Sequence, residues 1–411
     1  MSQPASHPQI ARYLEANLPI YLDLLRQMVA INSFTANPEG VNRLGRLTAE
    51  AFADLGFTAE MVQAANPHYG HHLVLTRPGL SAQKIGLISH LDTVFPPEEE
   101  ILNNFAWREE GDRIYGPGTV DIKGGTVMIY MILAALQQFF PEVFNQVTWL
   151  VLLDAAEERE ARDFGQLCLE RLGPEALAAL VFEGGQKVRN NFSVVAARKG
   201  IALYEVITSG KAAHAGTSHP KGANAIVQLA EVIWRIDSLT DYERDLTFNV
   251  GVVSGGTVTN RVPHYAEAQV EMRAFAVDVF EEGIARMLAL NGYSSVRSAK
   301  DGYPCQVRIE LQSRVAPWSP NPATDHLLAI WQAAARSVGL AAVREERGGL
   351  SDGNLIWRHI PTLDGLGPSG ANAHCSEQSP DGSKEQEYVE VSSFVPKALL
   401  NVMAILRLAR P

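Results

Sequence analysis

Apolar and polar positions along the first half of the chain follow two different rhythms. Residues 18–30 and 41–57 carry apolar side chains at helical spacing, and Gly56 ends the second run. Shorter apolar runs predict strands, and one longer apolar run predicts a buried helix. The predicted strands are 71–77, 83–92 and 146–157, and the buried helix is 125–140. Strands interleaved with helices indicate an α/β domain.

The pattern changes near residue 194 and indicates a second, smaller domain. Extended and helical segments follow one another there in the order β-α-β-β-α-β, which is typical of a small α+β domain. In chain order the segments are a strand pair at 194–210, a helix at 223–239, strands at 248–256 and 265–277, a helix at 281–290 and a strand at 306–312.

A proline-rich stretch, 315–325, predicts the return of the chain to the first domain. Helical patterns resume at 326–340 and 391–410. We therefore predict a catalytic domain formed by residues 1–193 and 313–411, with residues 194–312 as an inserted domain. The length of 411 residues agrees, because a chain of this size is too long for one hydrophobic core.

Composition narrows the class of protein. Hydrophobic residues make up 46% and charged residues 20%, as in ordinary globular enzymes. The formal net charge of -11 opposes binding to nucleic acid, and no uninterrupted apolar run approaches the roughly 18 residues of a membrane span, so neither partner is expected. The first residues lack the pattern of a signal peptide. Three widely separated cysteines, Cys168, Cys305 and Cys375, fit reduced thiols, and we expect a cytoplasmic protein.

Five residues along the chain have the side chains that zinc prefers. Two are imidazoles and three are carboxylates, and one shared carboxylate would let them hold two ions while a position stays open for water. They are His90 in SHLDTV, Asp121 in GPGTVDIKGG, Glu158 in DAAEERE, Glu183 in VFEGG and His374 in GPSGANAHC. His90 and Glu158 lie near the carboxyl ends of predicted strands, and Glu183 follows the apolar run ALVF, which also favours a strand. Open α/β sheets collect their sites at the carboxyl ends of strands. The set predicts a two-metal hydrolase with Asp121 as the bridging ligand.

Two further carboxylates near these residues have predicted roles. Asp92 and His90 are two positions apart, so on a strand they face the same side, and Asp92 can fix the tautomer of the imidazole. Glu157 and Glu158 are adjacent and would repel each other without a compensating charge. We predict that Glu158 binds metal and that Glu157 takes the proton of the metal-bound water as general base.

Each motif also has an ordinary interpretation when it is taken alone. The string around Asp121 can be a glycine-rich turn with a capping carboxylate, and Glu157 and Glu158 can belong to a solvated charge cluster. A single Glu183 or His374 is unremarkable by itself. Cys375, beside His374, is better explained as a small packed side chain than as a ligand.

Taken together, the motifs resemble the di-zinc exopeptidases and deacylases, the family of bacterial glutamate carboxypeptidase, aminoacylase-1 and acetylornithine deacetylase. The likeness extends over nearly the whole chain and is closest to bacterial glutamate carboxypeptidase. Residues 198–216 and 249–263 resemble the inserted dimerisation domain of that family. The resemblance implies a zinc-exopeptidase-like α/β catalytic domain with an inserted ferredoxin-like α+β domain, and two zinc ions, for which cobalt or another divalent metal could substitute.

The resemblance also assigns residues to roles. It places His90, Asp121 and Glu183 around one zinc ion, and Asp121, Glu158 and His374 around the other. Glu157 resembles the general base and Asp92 the helper of the histidine ligand. Three further residues resemble groups that contact substrate: His214, which stabilises the oxyanion in the partner subunit's site, and Asn260 and Arg273, which hold the substrate carboxylate.

The implied activity is hydrolysis of the amide bond to a C-terminal amino acid by a homodimer, through a metal-bridging water. Glu183 favours a carboxypeptidase or deacylase, because aminopeptidase relatives tend to have Asp there. An N-acyl amino acid deacylase is the alternative, and a noncatalytic binding relative is a remote one. The chain departs from the family pattern at Ala156, at Glu271 and in the long segment 378–386, all of which would border the substrate pocket.

Overall fold

The computed structural model describes residues 6–159 and 162–410, which form two compact units. The first unit contains the described chain up to Ala196, Pro320–Glu346 and the described chain from Ser351. The second unit contains Ala197–Ser319 and Arg347–Leu350. The chain thus passes between the units at 196/197 and 319/320, and again at 346/347 and 350/351. The sequence pattern predicts domain changes at 193/194 and 312/313 only.

Both units of the described chain contain helices. Asparagine side chains begin three helices in the chain: Asn37, Asn224 and Asn321 each accept a backbone N–H group of the first turn. The helices are α1 His7–Val29, α2 Pro38–Ala53, α3 Pro97–Leu102, α4 Gly124–Phe139, α5 Pro141–Gln146, α6 Arg162–Leu172, α7 Ala225–Asp237, α8 Val277–Leu288, α9 Pro322–Ser337, α10 Gly353–Ile356 and α11 Val391–Ala409.

The strands form one large sheet in each unit and several small sheets. In chain order they are β1 Thr58–Gln63, β2 His71–Arg77, β3 Lys84–His90, β4 Arg108–Glu110, β5 Arg113–Tyr115, β6 Thr148–Asp154, β7 Ala176–Val181, β8 Lys187–Val188, β9 Asn191–Arg198, β10 Gly200–Ser209, β11 Ala213–His214, β12 Thr247–Gly255, β13 Arg261–Val262, β14 Tyr265–Ala274, β15 Gln306–Val315, β16 Ala341–Arg347, β17 Thr362–Leu363, β18 Gly370–Ala371 and β19 Tyr388–Glu390.

The first unit is built on a six-stranded sheet of order β1-β2-β6-β3-β7-β17. Strands β6, β3, β7 and β17 run parallel, and β2 and β1 continue the sheet antiparallel at one edge. Buried helix α4 and the buried residues of α1 and α11 belong to the same hydrophobic core as Trp149 of β6. Because the parallel strands end at one edge, residues that follow them are brought together there.

Two helical segments of the first unit correct one expectation from the sequence. Thr119–Phe139 and Val391–Ala409 are long and apolar enough to cross a membrane by length and composition, although no uninterrupted apolar run was expected to suffice. In the structure 89% and 61% of their most apolar windows are buried inside the protein. The mean hydropathy of a window tolerates scattered polar residues, and core helices pass the same test.

The second unit has the predicted β-α-β-β-α-β order. Strands β10, β12, β14 and β15 form an antiparallel sheet of order β12-β14-β10-β15, with α7 and α8 between strands in the chain. Its core includes Tyr204, Met272 and Phe280. The predicted strand pair at 194–210 differs in detail: β9 belongs to a small sheet with β8 and β16, and only β10 joins the sheet of the second unit.

Candidate metal centre

The five predicted ligands lie on segments that follow strands of the first unit or on nearby loops. His90 is the last residue of β3, and Glu183 lies two residues beyond β7. Glu158 lies in a short helical turn, Glu157–Arg159, after β6. Asp121 lies in an irregular turn, Thr119–Lys123, that leads into α4, and His374 lies in the loop after β18. All five residues belong to the first unit.

The structure brings the five side chains together in two triads that share Asp121. The ligand atoms of His90, Asp121 and Glu183 lie within 4.8 Å of one another, and so do those of Asp121, Glu158 and His374. His90 Nε2 is 3.1 Å from Asp121 Oδ1, whereas His374 Nε2 is 3.2 Å from Asp121 Oδ2. The two carboxylate oxygens of Asp121 therefore face two different histidines, as a bridging ligand requires.

Three carboxylates in so small a space repel one another unless a cation or a proton compensates their charge. The side chains of Glu158, Glu183 and Asp121 are only 8%, 14% and 18% exposed, so water screens them poorly. Nitrogen and oxygen donors of this kind suit zinc and other divalent ions. The residues present thus fit the two-metal site that the sequence predicts.

The electrostatics of the metal-free site reflect this crowding. Burial works against a charge on His90, but the carboxylates of Asp121 and Asp92 outweigh it and raise the pKa of His90 well above its ordinary value. The hydrogen bonds of His374 to Asp121 and Glu158 raise the pKa of His374 to about 11. Burial raises the pKa of Glu158. The imidazolium groups therefore supply part of the positive charge that divalent ions would supply.

Asp92 contacts the ring nitrogen of His90 that faces away from Asp121. His90 Nδ1 lies 3.0 Å from the backbone oxygen of Asp92 and 3.3 Å from its Oδ1. Both atoms are acceptors, so they hold a proton on Nδ1 and leave Nε2 available as a ligand. The hydroxyl of Thr35 donates to Asp92 Oδ2 at 2.6 Å and fixes the carboxylate in turn.

Glu157 lies beside the candidate ligands and is partly buried. The backbone N–H groups of Glu157 and Glu158 donate to the two oxygens of Asp92, at 3.1 and 3.3 Å. Burial, followed by the negative charges of Glu183 and Glu158, raises the pKa of Glu157 well above its ordinary value, against the charge of His90. The ligand atoms of a third triad, His90, Glu157 and Glu158, also lie within 4.8 Å of one another. Since the other two triads use all five predicted ligands, Glu157 is the one carboxylate they leave over.

The turn that carries Asp121 is held by close backbone packing and by a distant carboxylate. A Cβ atom at Gly125 would lie 2.1 Å from the backbone oxygen of Phe182, so only glycine permits this approach beside Glu183. The Asp121–Ile122 peptide bond is cis. Glu387 Oε1 accepts the backbone N–H groups of Val120 and Asp121 at 3.0 and 3.1 Å.

His374 differs from the other ligands in its exposure and backbone. Its side chain is 53% exposed, and its φ of 67° lies in the left-handed region, which few residues other than glycine adopt. The neighbouring Cys375 belongs to none of the metal-ligand groups found among the described residues, and its thiol points to the backbone oxygen of Glu377 at 3.6 Å. The side chain of Cys375 is half-buried.

The three residues assigned to substrate contacts lie in the second unit. His214 ends β11, which pairs with β13, and the backbone oxygen of Asn260 accepts the N–H group of Ala215 at 2.9 Å, so His214 and Asn260 are close. His214 Nδ1 accepts the backbone N–H groups of Gly216 and Thr217, both at 3.1 Å, which leaves the proton of a neutral ring on Nε2.

Arg273 lies on β14, apart from that hairpin. Its Nε donates to Glu271 Oε1 at 2.5 Å, and its Nη1 donates to the backbone oxygen of Gly348 at 2.7 Å. The guanidinium is thus already oriented by Glu271, the residue at which the sequence departs from the family pattern.

Two buried contacts of the site were not found from the sequence. Thr35 and Glu387 bind residues 57 and 266 positions away. Glu387 appears in the sequence only as part of a Glu-Tyr-Val string, and nothing local indicates that its carboxylate binds the Asp121 turn. An acceptor so distant along the chain leaves no signal in the spacing of residues.

Two groups of potential metal ligands that share one carboxylate, at the carboxyl ends of parallel strands, are typical of metallohydrolases. The chain matches the model of peptidase family M20/M25/M40 over residues 86–400, and it belongs to that family, whose members are generally metal-dependent. These matches confirm the resemblance to this family and the predicted fold class. They also confirm the prediction that the protein is an enzyme, a hydrolase.

Among its relatives is carboxypeptidase G2 of Pseudomonas sp. (strain RS-16), 26% identical over 386 residues, which cover 93% of this chain and 87% of the relative. The acetylornithine deacetylase of Klebsiella pneumoniae (strain 342) is 26% identical over 277 residues, 63% of this chain and 69% of the relative. The crystal structure of a tripeptidase from Staphylococcus aureus shares the fold, with a TM-score of 0.77, 24% identity, and coverage of 96% of this chain and 99% of that one.

Proposed function

We propose that the protein is a di-zinc carboxypeptidase that hydrolyses the amide bond to a C-terminal amino acid. The observation that carries the proposal is the shared carboxylate, because the two oxygens of Asp121 face His90 and His374 separately. Similarity to carboxypeptidase G2 over 93% of the chain supports the substrate class. Zinc suits the nitrogen and oxygen donors, and cobalt is an alternative.

The residues of the first unit divide the work of hydrolysis. When bound, the two ions would lower the pKa of a water molecule and polarise the scissile carbonyl. Glu157 accepts the proton of that water on a carboxylate oxygen and later delivers it to the leaving amine. In the metal-free protein burial raises the pKa of Glu157, the direction expected of a carboxylate that has to take up a proton. Asp92 keeps the proton of His90 on Nδ1 throughout.

Residues of the second unit would recognise the substrate. We assign Asn260 and Arg273 to the free carboxylate of the substrate, for which the guanidinium offers a planar pair of donors. We assign His214 to the developing oxyanion, because its Nε2–H is the free donor of the neutral ring. Glu271, which orients Arg273, would then adjust how firmly the substrate carboxylate is held.

Similarity to acetylornithine deacetylase favours a second candidate, an N-acyl amino acid deacylase. The chemistry is the same, and the acyl group is smaller. The likeness to a tripeptidase structure concerns the fold only, and Glu183 in place of Asp argues against an aminopeptidase.

We also propose that the protein acts as a homodimer. Strand β12 lies at the edge of its sheet, and its Val252 and Val253 are 52% and 56% exposed. Trp234 of α7 is 76% exposed. Helix α7 packs against β12. An exposed edge strand and an exposed tryptophan on the adjoining helix are features that a second copy would cover. A cytoplasmic location stays a prediction from the composition.

The test measures the release of the C-terminal amino acid by the zinc-loaded protein. The substrates are short peptides, N-acyl-glutamates and N-acetyl amino acids. A second reaction contains a chelator. Release that the chelator abolishes supports the metallohydrolase, and the preferred substrates distinguish the carboxypeptidase from the deacylase. Release of the N-terminal residue from free peptides, with no release from any N-acylated substrate, would contradict both candidates.

A further inference from the structure

A buried histidine outside the metal centre contacts the segment that carries Glu157 and Glu158. His72, on β2, is 1% exposed and packs against the ring of Phe164 at 5.2 Å between centroids. The next residue of β2, Leu73, lies opposite Leu153, and these two form the last residue pair between β2 and β6. The imidazole therefore lies beside the end of β6, where the chain leaves the sheet towards the metal centre.

The two ring nitrogens of His72 contact residues on both sides of the Glu157–Glu158 pair. Nδ1 is 3.1 Å from Asp154 Oδ1, at the end of β6, and Nε2 is 3.0 Å from Asp163 Oδ2, in α6. Asp163 Oδ2 also accepts the backbone N–H group of Ala65 at 2.6 Å. The ring thus lies between a residue three positions before the pair and one five positions after it. Its Nε2–H donates to Asp163, while Nδ1, which lies beside Asp154, is the acceptor for the backbone N–H group of Ala155.

Side chains hold every backbone N–H group from Ala155 to Glu158. The N–H group of Ala155 donates to His72 Nδ1 at 3.1 Å, and that of Ala156 donates to Asp154 Oδ1 at 2.8 Å. The next two, of Glu157 and Glu158, donate to Asp92. Asp92 in turn contacts His90, so the same segment is fixed from the metal side by Asp92 and from the opposite side by His72.

We propose that His72 is a positioning residue for the general base and for the metal ligand beside it. The inference rests on the proposed function, because it assumes the roles of Glu157 and Glu158. An imidazole suits the position, since it has two polar atoms at a fixed separation and loses little freedom when buried. Without it the backbone N–H group of Ala155 would lack an acceptor, and Asp163 would lose its hydrogen bond to β2. The turn that carries Glu157 and Glu158 would then shift relative to the other candidate metal ligands.

The matched test compares His72→Phe with His71→Phe. Phenylalanine keeps the ring volume at position 72 but removes both polar atoms, whereas the neighbouring His71 contacts Asn42 and lies outside this network. We expect His72→Phe to lower kcat by about 10- to 100-fold with KM nearly unchanged, as for partners of metal ligands in other enzymes. In hydrogen-exchange mass spectrometry, peptides covering 150–159 should exchange about 10-fold faster or more, and His71→Phe should match the wild type in both measurements.

A conservative variant separates positioning from general stability. In His72→Gln the side-chain amide can reach the place of Nε2 and donate to Asp163, and we expect it to recover part of kcat and of the protection from exchange. Should His72→Phe fail to fold, Asp163→Asn, which alters the half-exposed end of the network, is expected to change kcat and exchange in the same direction.

The outcomes distinguish this inference from the proposed function. Wild-type exchange and wild-type kcat in His72→Phe, or in Asp163→Asn where it takes its place, would overturn it. Faster exchange at 150–159 in a protein whose wild type hydrolyses no substrate would support the positioning of the turn and contradict the proposed function.

Discussion

Glu387 accepts the backbone N–H group of Asp121 at 3.1 Å, although the two residues lie 266 positions apart in the chain. The carboxylate is fully buried, and its Oε2 has no hydrogen-bond partner among the described residues. Burial raises the pKa of Glu387 to about 8, and the charge of Asp121 adds to the effect. Glu387 therefore orients the turn that presents the shared carboxylate to both histidines.

Removing this acceptor should weaken the metal centre. In Glu387→Ala the N–H groups of Val120 and Asp121 lose their acceptor, and we expect a loss of about 1–3 kcal/mol in the free energy of unfolding. We expect metal affinity or kcat to fall by about 10- to 100-fold. Glu387→Gln keeps an oxygen acceptor and should stay within a few-fold of the wild type. Urea unfolding and zinc titration measure both effects, and equal behaviour of the Ala and Gln variants would contradict the role.

Glu157→Gln tests the assignment of the general base. The amide cannot accept the proton of water, so we expect kcat to fall by about 100- to 10,000-fold while two zinc ions remain bound. Glu15→Gln, at an exposed position of α1, is the control and should keep full activity. Metal content by mass spectrometry decides between the triads, because loss of one zinc in Glu157→Gln would mean that Glu157 is a ligand.

Metal binding should release protons and strengthen with pH. The pKa of His374 in the metal-free protein is raised from 6.5 to about 11, mainly by its hydrogen bonds to Asp121 and Glu158, so the ring is charged at pH 7. A zinc ion requires the neutral ring, and each displaced proton makes affinity rise about 10-fold per pH unit below the pKa. Calorimetric titration at pH 7 in buffers of different ionisation enthalpy counts the protons, and no proton release would refute the prediction.

The same shift sets a trend in the stability of the metal-free protein. A folded-state pKa above the unfolded value stabilises the folded state below about pH 6.5, and this stabilisation disappears as pH rises towards 11. The chelator-treated protein should therefore lose more stability between pH 7 and 10 than His374→Ala does.

The dimer proposal predicts a single position that disrupts association. Val253→Lys places a charge on the exposed edge strand β12, and we expect dimer affinity to fall by about 2 kcal/mol, roughly 30-fold in Kd. Val343→Lys, at a 48% exposed position of β16, is the control. Sedimentation velocity measures both variants, and a monomeric wild type at micromolar concentration would rule out the proposal.

Much of the fold follows from local patterns. The β-α-β-β-α-β order of the second unit and the strand ends that carry His90 and Glu183 were predictable, because apolar periodicity reflects burial on one face of a helix or strand. The division of β9 and β10 between two sheets was not, because a strand's partner depends on contacts far along the chain. That two helical segments are apolar enough to cross a membrane was also not predicted, because polar residues interrupt their apolar runs.

By itself, the sequence determined which side chains could bind metal, their order along the chain and the family to which the protein belongs. Only the tertiary structure decided that the two oxygens of Asp121 face different histidines, that Glu387 orients the Asp121 turn and that His72 contacts both Asp154 and Asp163. These contacts join residues from separate strands and loops, and their distances are set by how the sheet, α4 and the loops pack. Periodicity along a chain carries no record of such distances, because burial constrains the type of residue and not the identity of its distant partner.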